Sequence, residues 1–375
     1  MKLKNLTVIA LTGMVCMTAC TSQPAVEGKW VGGAGKTVYL QQKADDQTRV
    51  VDSAVVAADG SFAFALPAGK IDVYELSAAN EARKNLLLSD VPVVVTIETE
   101  TETNEDSTTV DVLSILAEGD EQKAYEDGYD LIMASAFMSL GRMFTFSNIL
   151  SGEDKSMTID SAVVLYNMIE AKMQESMANY VDSAKNNYGV AYFIKEYMIQ
   201  NKPFDEVEAA YESLTDRVKL SNPGIELKAA IDELASVSIG GTAPDITLMT
   251  PDSTELSLSS LRGHYVLLDF WASWCGPCLR EVPNVKAIYD KYHDKGFEIY
   301  GVSLDETPDP WKAAIKKNEM NWHHVSSLKG WDCPTAKRYN VTGIPRMYII
   351  NPEGKIIAMD LRGEELANFV ASLYE

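Results

Sequence analysis

The feature that most limits how this chain can fold is a cysteine pair placed where a strand gives way to a helix. It lies in the stretch FWASWCGPCLREVP, from Phe270 to Pro283. The apolar run YVLLDFWA predicts a buried strand, and CLREVPNVKAIYDKYHDKG predicts a helix that ends at glycine. From about Ser238 onwards strands and helices alternate, which predicts an α/β layer with parallel central strands. In open sheets of this kind, chemistry gathers beyond the carboxyl ends of the strands.

Cys275 and Cys278, with only a glycine and a proline between them, suit three kinds of site: a zinc site, a structural disulfide or a reversible redox pair. A structural zinc site requires two further ligands at recognisable spacing. The downstream candidates Cys333, His323 and His324 show no such spacing. A static disulfide that closes so short a loop restricts the unfolded chain very little. A redox pair is therefore favoured, and no metal is expected.

The position of the pair indicates how it would react. Cys275 falls where the helix begins, so unpaired backbone N–H groups and the positive end of the helix dipole favour its thiolate, the form that attacks disulfides. Cys278 lies one turn further on, where it can resolve a mixed disulfide, and Pro277 suits the first helical turn. A peroxidase is disfavoured, because the peroxiredoxin motif P-x-x-x-T-x-x-C requires proline and threonine where this chain has Leu268 and Ala272.

The stretches VLLDFWASWCGPCLREVP and VTGIPRMYIINPEGKII together resemble the thioredoxin fold. More narrowly, GGTAPDITLMTPDSTELSLSSLRGHYVLLDFWASWCGPC resembles the envelope-anchored thiol-disulfide oxidoreductases of the TlpA/ResA type. The resemblance covers residues 238–375. It implies that Cys275 is the nucleophile, that Cys278 is the resolving cysteine, and that the redox-active disulfide between them works without an organic cofactor or a metal.

The same resemblance implies roles for residues around the pair. Pro345 matches a cis-proline that faces the cysteines, and a cis bond there would turn the backbone of Ile344 outward to pair with an extended substrate segment. Glu281 and Asp269 each match an acid thought to assist proton transfer, and which of the two is the base stays open. Contact with substrate is also expected of three residues at the pair itself: Trp274, Gly276 and Pro277.

The preceding regions resemble, less specifically, the accessory domain often found before such modules in lipoproteins. Short alternating runs over residues 25–118 predict a small antiparallel β domain, with Asp59-Gly60 as a hairpin turn. Residues 119–237 have a helical period and predict an α-helical domain whose apolar stripes form its core. The stripes are Tyr125, Tyr129, Ile132, Phe137, Leu140 and Met143, and Ile159, Val163, Tyr166, Ile169, Met173, Met177 and Tyr180.

Residues 1–20, MKLKNLTVIALTGMVCMTAC, are built like an export signal, with a basic start, an apolar run and small residues before a cysteine. The apolar run is too short for a transmembrane helix. Its end, MTAC, resembles a bacterial lipoprotein box, which implies that Cys20 carries lipid. The protein would then be anchored to a membrane of the cell envelope and face the periplasm. An ordinary cleaved signal is the alternative.

These observations predict a lipid-anchored thiol-disulfide oxidoreductase that reduces disulfide-bonded proteins of the envelope. The family implies a membrane-embedded thiol carrier as electron donor. One alternative is a dithiol oxidase or isomerase that runs the same exchange in reverse, since direction depends on the potential of the pair. Another is a ligand-binding lipoprotein whose first two domains recognise the partner. The formal net charge of -21 disfavours nucleic acid, because phosphate binding needs clustered basic charge.

Overall fold

The computed structural model describes residues 24–44, 47–66, 70–79, 82–103, 109–153 and 156–375. The chain divides into two compact units, with the division between Gln122 and Lys123. The predicted export signal and Cys20 lie outside the described residues. In the described part of the chain, no helix is both long and apolar enough to cross a membrane.

The first unit consists of two four-stranded β-sheets that enclose one apolar core. One sheet has the order β4-β1-β7-β8 and the other β3-β2-β5-β6. The strands are β1 (Val26–Trp30), β2 (Thr37–Ala44), β3 (Gln47–Val55), β4 (Ser61–Phe64), β5 (Asp72–Ala78), β6 (Ala82–Leu88), β7 (Val93–Thr103) and β8 (Thr109–Glu118). Alternate residues of these strands point inward, as the period of two predicts. The core includes the fully buried side chains of Trp30, Leu40, Leu76, Leu86 and Ile97.

Two features of this unit differ from the prediction. The domain is not purely antiparallel, because β1 pairs in parallel with β7, with Val26 opposite Val93. The Asp59-Gly60 turn does not close a hairpin, since β3 pairs with β2 whereas β4 pairs with β1. The turn instead passes the chain from one sheet to the other. Gly60 has a φ of +84°, and a Cβ there would lie 2.8 Å from the backbone oxygen of Trp30. The sequence signal for a tight turn was therefore correct, but the strand pairing was wrong.

The second unit begins with a helical segment. Its helices are α1 (Asp120–Ser151), α2 (Ile159–Ala184), α3 (Gly189–Phe193), α4 (Ile199–Asn201), α5 (Phe204–Ser213), α6 (Asp216–Lys219) and α7 (Asn222–Ser236), and a π turn (Ile194–Met198) joins α3 to α4. The side chain of Thr158 caps α2 by accepting a hydrogen bond from the Ser161 N–H, and Ser221 caps α7 in the same way. Asn222-Pro223-Gly224 therefore starts α7, with Pro223 in its first turn.

The predicted core stripes are buried only in part. Met177 and Tyr180 are buried, but Phe137 and Met143 are 65% and 58% exposed. The reason is length: α1 and α2 have 32 and 26 residues, whereas α7 has 15 and the other helices of the segment are shorter. The C-terminal end of α1 and the N-terminal end of α2 therefore extend past the shorter helices, and their apolar side chains stay exposed.

The C-terminal part of this unit is a seven-stranded sheet of order β10-β9-β13-β12-β11-β14-β15 with helices on its faces. Its elements are β9 (Thr247–Met249), β10 (Glu255–Ser257), β11 (Tyr265–Trp271), α8 (Gly276–Tyr292), β12 (Phe297–Ser303), α9 (Pro308–Lys317), β13 (His323–Ser326), α10 (Pro334–Arg338), β14 (Arg346–Ile350), β15 (Ile356–Met359) and α11 (Gly363–Ser372). β11 runs parallel to β12, and β12 to β13, as the alternation of strands and helices predicts. β11 is buried along nearly its whole length, and three residues separate its end at Trp271 from Cys275.

Candidate active site

The cysteine pair lies at the start of α8, and the two sulfurs form a disulfide. Cys275 is the N-cap residue, with an extended backbone, and Cys278 is in the first turn, so their Cα atoms are 5.3 Å apart. The Cys278 N–H donates to the Cys275 sulfur over 3.1 Å. Pro277 lies in the first turn, where no N–H is needed, and both Gly276 and Pro277 are exposed. The sulfur of Cys275 therefore occupies the place of a capping side chain.

This geometry favours a negative charge on Cys275 once the disulfide is reduced. A capping position accepts N–H donors that the helix itself leaves unused, and the positive end of the helix dipole adds to the effect. Both cysteines are only 4% exposed, so little of either side chain is open to solvent. An N-capping thiolate of this kind is suited to attack a disulfide sulfur.

The loop before β14 lies opposite the disulfide. The Ile344–Pro345 peptide bond is cis, and the backbone oxygen of Ile344 lies 3.8 Å from the Cys275 sulfur. Pro345 is buried, whereas Ile344 is partly exposed. β14 pairs with β11, so the sheet fixes this loop against the strand that leads into the cysteine pair. Any segment bound to Cys275 would therefore pass beside the Ile344 backbone.

A buried carboxyl group lies on β11 before the pair. Asp269 is 6% exposed, and its Oδ1 has no hydrogen-bond partner among the described residues. Burial raises the pKa of Asp269 to about 7, the negative charge of Glu281 adds to the rise, and the positive charge of Arg362 opposes it. Asp269 can therefore gain or lose a proton near neutral pH.

The second predicted acid, Glu281, is held in place by hydrogen bonds. Its Oε1 accepts from the Gly363 N–H over 2.8 Å and from Asn284 Nδ2 over 2.7 Å. Arg362, next to Gly363, donates from Nη2 to the backbone oxygen of Pro345 over 2.6 Å. The two residues at the start of α11 thus contact both Glu281 and the cis-proline loop. Sequence reasoning missed Arg362 and Gly363, because no local pattern marks a contact that depends on how α11 packs against α8. It also missed Asn284, although Asn284 lies three residues after Glu281 on the same helix, a spacing that could have indicated the contact.

The remaining predicted residues divide between surface and core. Trp274 is 55% exposed beside Cys275. Cys333 is reduced and fully buried. Among the described residues, no group of histidine, cysteine and acidic side chains is arranged to hold a metal ion. Of the predicted site residues, Cys275, Cys278 and the Ile344–Pro345 bond lie together at one edge of the sheet.

Comparison with known proteins agrees with this arrangement. The AhpC/TSA family model matches residues 239–359, and a domain of unknown function, DUF4369, matches residues 25–122. The thiol-disulfide oxidoreductase ResA of Bacillus thuringiensis subsp. konkukian is 32% identical over 129 residues, which are 34% of this chain and 72% of that protein. ResA of Bacillus subtilis is 32% identical over 122 residues, 32% of this chain and 66% of the relative.

A solved thioredoxin domain of a thiol-disulfide oxidoreductase from Bacteroides vulgatus is 37% identical and covers 37% of this chain and 99% of its own, with a TM-score of 0.36. The C-terminal region has a thioredoxin-like fold, and its cysteine pair is placed for redox exchange. The chain belongs to the thioredoxin-like thiol-disulfide oxidoreductases of the AhpC/TSA family, with ResA proteins among its relatives.

Proposed function

We propose that this enzyme reduces disulfide bonds in proteins of the cell envelope through Cys275 and Cys278. The observation that supports this most directly is the Cys275 sulfur at the N-cap of α8, 3.1 Å from the Cys278 N–H and facing the Ile344 backbone oxygen. The Cys275 thiolate attacks one sulfur of the substrate disulfide, and the other sulfur leaves as a thiolate. Cys278 then attacks the Cys275 sulfur and releases the second substrate thiol. Two electrons pass to the substrate, and the Cys275–Cys278 disulfide remains.

The second step requires that Cys278 lose its proton, and Asp269 suits this task better than Glu281. Glu281 already accepts hydrogen bonds from the Gly363 N–H and from Asn284 Nδ2. The Oδ1 of Asp269 has no hydrogen-bond partner among the described residues, and the Asp269 pKa of about 7 is close to neutral pH, where a proton acceptor works best. Glu281 then acts on Asp269 through its charge, which helps to keep the Asp269 pKa high.

The electrons are held in the dithiol itself, so the proposed reaction needs no organic cofactor or metal. Each turnover leaves the enzyme oxidised, and a separate dithiol donor must reduce it again. In the proposed setting this donor is a membrane-embedded thiol carrier, and the substrates are disulfide-bonded proteins of the envelope. The Gly-Pro dipeptide shared with thioredoxin supports reduction as the direction.

Catalysis of insulin reduction tests this activity. With dithiothreitol as the donor, the full chain should accelerate the precipitation of the insulin B chain in proportion to enzyme concentration, because exchange through Cys275 is faster than direct attack by the small thiol. Recovery of activity by reduced, unfolded ribonuclease in the presence of the oxidised chain tests the reverse direction. Acceleration of ribonuclease recovery without acceleration of insulin reduction would reject the reductase and support a dithiol oxidase.

We also propose that Cys20 carries the lipid that holds the enzyme at the membrane with its two units in the periplasm. The MTAC sequence supports Cys20 as the modified residue, and Cys16 lies in the same apolar run as a matched control. Cys20→Ala should abolish incorporation of a labelled fatty acid and release the protein from washed membranes, whereas Cys16→Ala should leave both unchanged. Labelling that persists in Cys20→Ala would show that the lipid is attached elsewhere, and a wild type without labelling would show that there is no lipid anchor.

A further inference from the structure

The two exposed tryptophans of the chain lie together beside the disulfide. Trp274 and Trp331 are 55% and 46% exposed, and their ring centroids are 6.3 Å apart with the planes tilted by 53°. The chain has six tryptophans, and the four others are at most 8% exposed: Trp30, Trp271, Trp311 and Trp322. Exposed indole surface is therefore confined to the entrance of the cysteine pair.

Trp331 is held by a rigid turn. It is the middle residue of a 3-10 turn (Gly330–Asp332), in which the Asp332 N–H donates to the Lys329 oxygen and the Cys333 N–H to the Gly330 oxygen. Cys333, directly after the turn, is fully buried and fixes its far end. At the near end, Gly330 has a φ of +54°, and a Cβ there would lie 2.7 Å from Glu306 Oε1. The ring is thus presented without a cost for ordering the loop on binding.

We propose that Trp274 and Trp331 form a docking surface, here called the indole pair, for an apolar side chain next to the substrate's reactive cysteine. This inference rests on the proposed function, because it requires that a protein disulfide approach Cys275. The site of approach is bounded on one side by Ile344, whose backbone oxygen is 3.8 Å from the Cys275 sulfur, and on another by Trp274, the neighbour of Cys275 in sequence. A segment that lies along Ile344 brings its flanking side chains to the indole pair.

The occupant is an extended protein segment with an aromatic or aliphatic residue close to its cysteine. Indole rings have large apolar faces and lose little conformational entropy on contact, and for this reason tryptophan is enriched at the centres of protein interfaces. The indole pair carries no charge of its own, whereas the chain as a whole has a formal net charge of -21 and repels acidic partners at long range. Apolar, non-acidic surroundings of the substrate cysteine are therefore selected.

Two synthetic peptide disulfides test the proposal. Both are symmetrical dimers of one short sequence, with phenylalanine on each side of the cysteine in the first and serine in the second. Single-turnover reduction by the full reduced chain is followed by acid quench and chromatography, with the small, non-aromatic hydroxyethyl disulfide as a third substrate. The wild-type protein should reduce the phenylalanine peptide about tenfold faster than the serine peptide, the scale of one good aromatic contact.

The Trp331→Ala variant should lose this preference, with rates on the serine peptide and hydroxyethyl disulfide unchanged, and Trp331→Phe should keep most of it. Leu220→Ala is the matched control, because Leu220 is 78% exposed and far from the cysteine pair in sequence. Retention of the full preference in Trp331→Ala, or an equal loss on all three substrates, would overturn the indole pair as a docking surface. Equal wild-type rates on both peptides would also overturn it and leave the reductase activity standing, whereas failure to reduce any of the three would reject the proposed function itself.

Discussion

Replacement of Cys275 by serine is expected to abolish disulfide reduction, with a loss of at least about 1,000-fold in turnover. The serine hydroxyl stays protonated at neutral pH and cannot form a disulfide, so neither the attack nor the mixed disulfide remains possible. The fold should persist, because serine is a good N-cap residue and can accept the Cys278 N–H that the sulfur accepts. The measurement is insulin reduction with dithiothreitol, with circular dichroism as the check on folding.

Two companion variants make this expectation specific. Cys278→Ser should also lose turnover but should accumulate a covalent complex with the substrate, because the mixed disulfide on Cys275 has nothing to resolve it. Non-reducing electrophoresis detects this complex, and dithiothreitol should separate enzyme and substrate by reducing the mixed disulfide. Cys333→Ser should retain turnover, because Cys333 is buried away from solvent. Residual turnover of Cys275→Ser near the wild-type level would show that another group performs the attack.

Replacement of Asp269 by asparagine is expected to stabilise the oxidised protein at alkaline pH. The pKa of Asp269 is about 7 in the folded protein and 3.8 as an ordinary carboxyl, so the folded state binds more protons between these values. The contribution of Asp269 to stability should therefore be complete below about pH 4, fall as the pH rises from there, and be lost above about pH 7. The asparagine side chain does not ionise, so this loss should be absent from the Asp269→Asn variant.

The difference between a pKa of 3.8 and one of about 7 corresponds to about 4 kcal/mol in the free energy of unfolding. More than half of this free energy should be lost between pH 5 and pH 8. Urea unfolding followed by tryptophan fluorescence measures the difference, because five of the six tryptophans belong to the second unit. Arg362→Gln removes the positive charge that opposes the rise in the Asp269 pKa, so its stability should continue to fall at higher pH than that of the wild type. If the free energies of unfolding of the wild type and of Asp269→Asn changed in parallel between pH 5 and pH 8, a buried acid that titrates near neutrality would be contradicted.

Much of the C-terminal fold was predictable, because its signals are local. The run YVLLDFWA becomes β11, and the cysteine pair falls at the start of α8, as the strand-to-helix change at Cys275 indicates. The strand β13, with four residues, and the antiparallel β9 and β10, with three each, have runs too short for a period to be recognised. The parallel pairing of β1 with β7 was missed because it joins segments far apart in the chain, on which a local pattern carries no information.

The candidate site shows the same limit. Cys275 and Cys278 belong to one short motif and could be identified from it. The hydrogen bond from Gly363 to Glu281, by contrast, exists only because α11 packs against α8. The indole pair is a further example, since Trp331 lies in a loop far along the chain from Trp274. The burial that separates the pKa of Asp269 from its ordinary value is likewise a property of the folded sheet.

The reduction potential of the Cys275–Cys278 pair tests the central claim most directly. The full chain carrying Cys333→Ser would be equilibrated in thiol buffers of known potential, and the fraction of oxidised pair would be measured by alkylation and mass spectrometry. The predicted result is a reversible two-electron transition near the thioredoxin value of roughly -270 mV. A transition near about -120 mV would contradict the reductase and indicate an oxidase, and a pair that forms no reversible disulfide would contradict a redox function altogether.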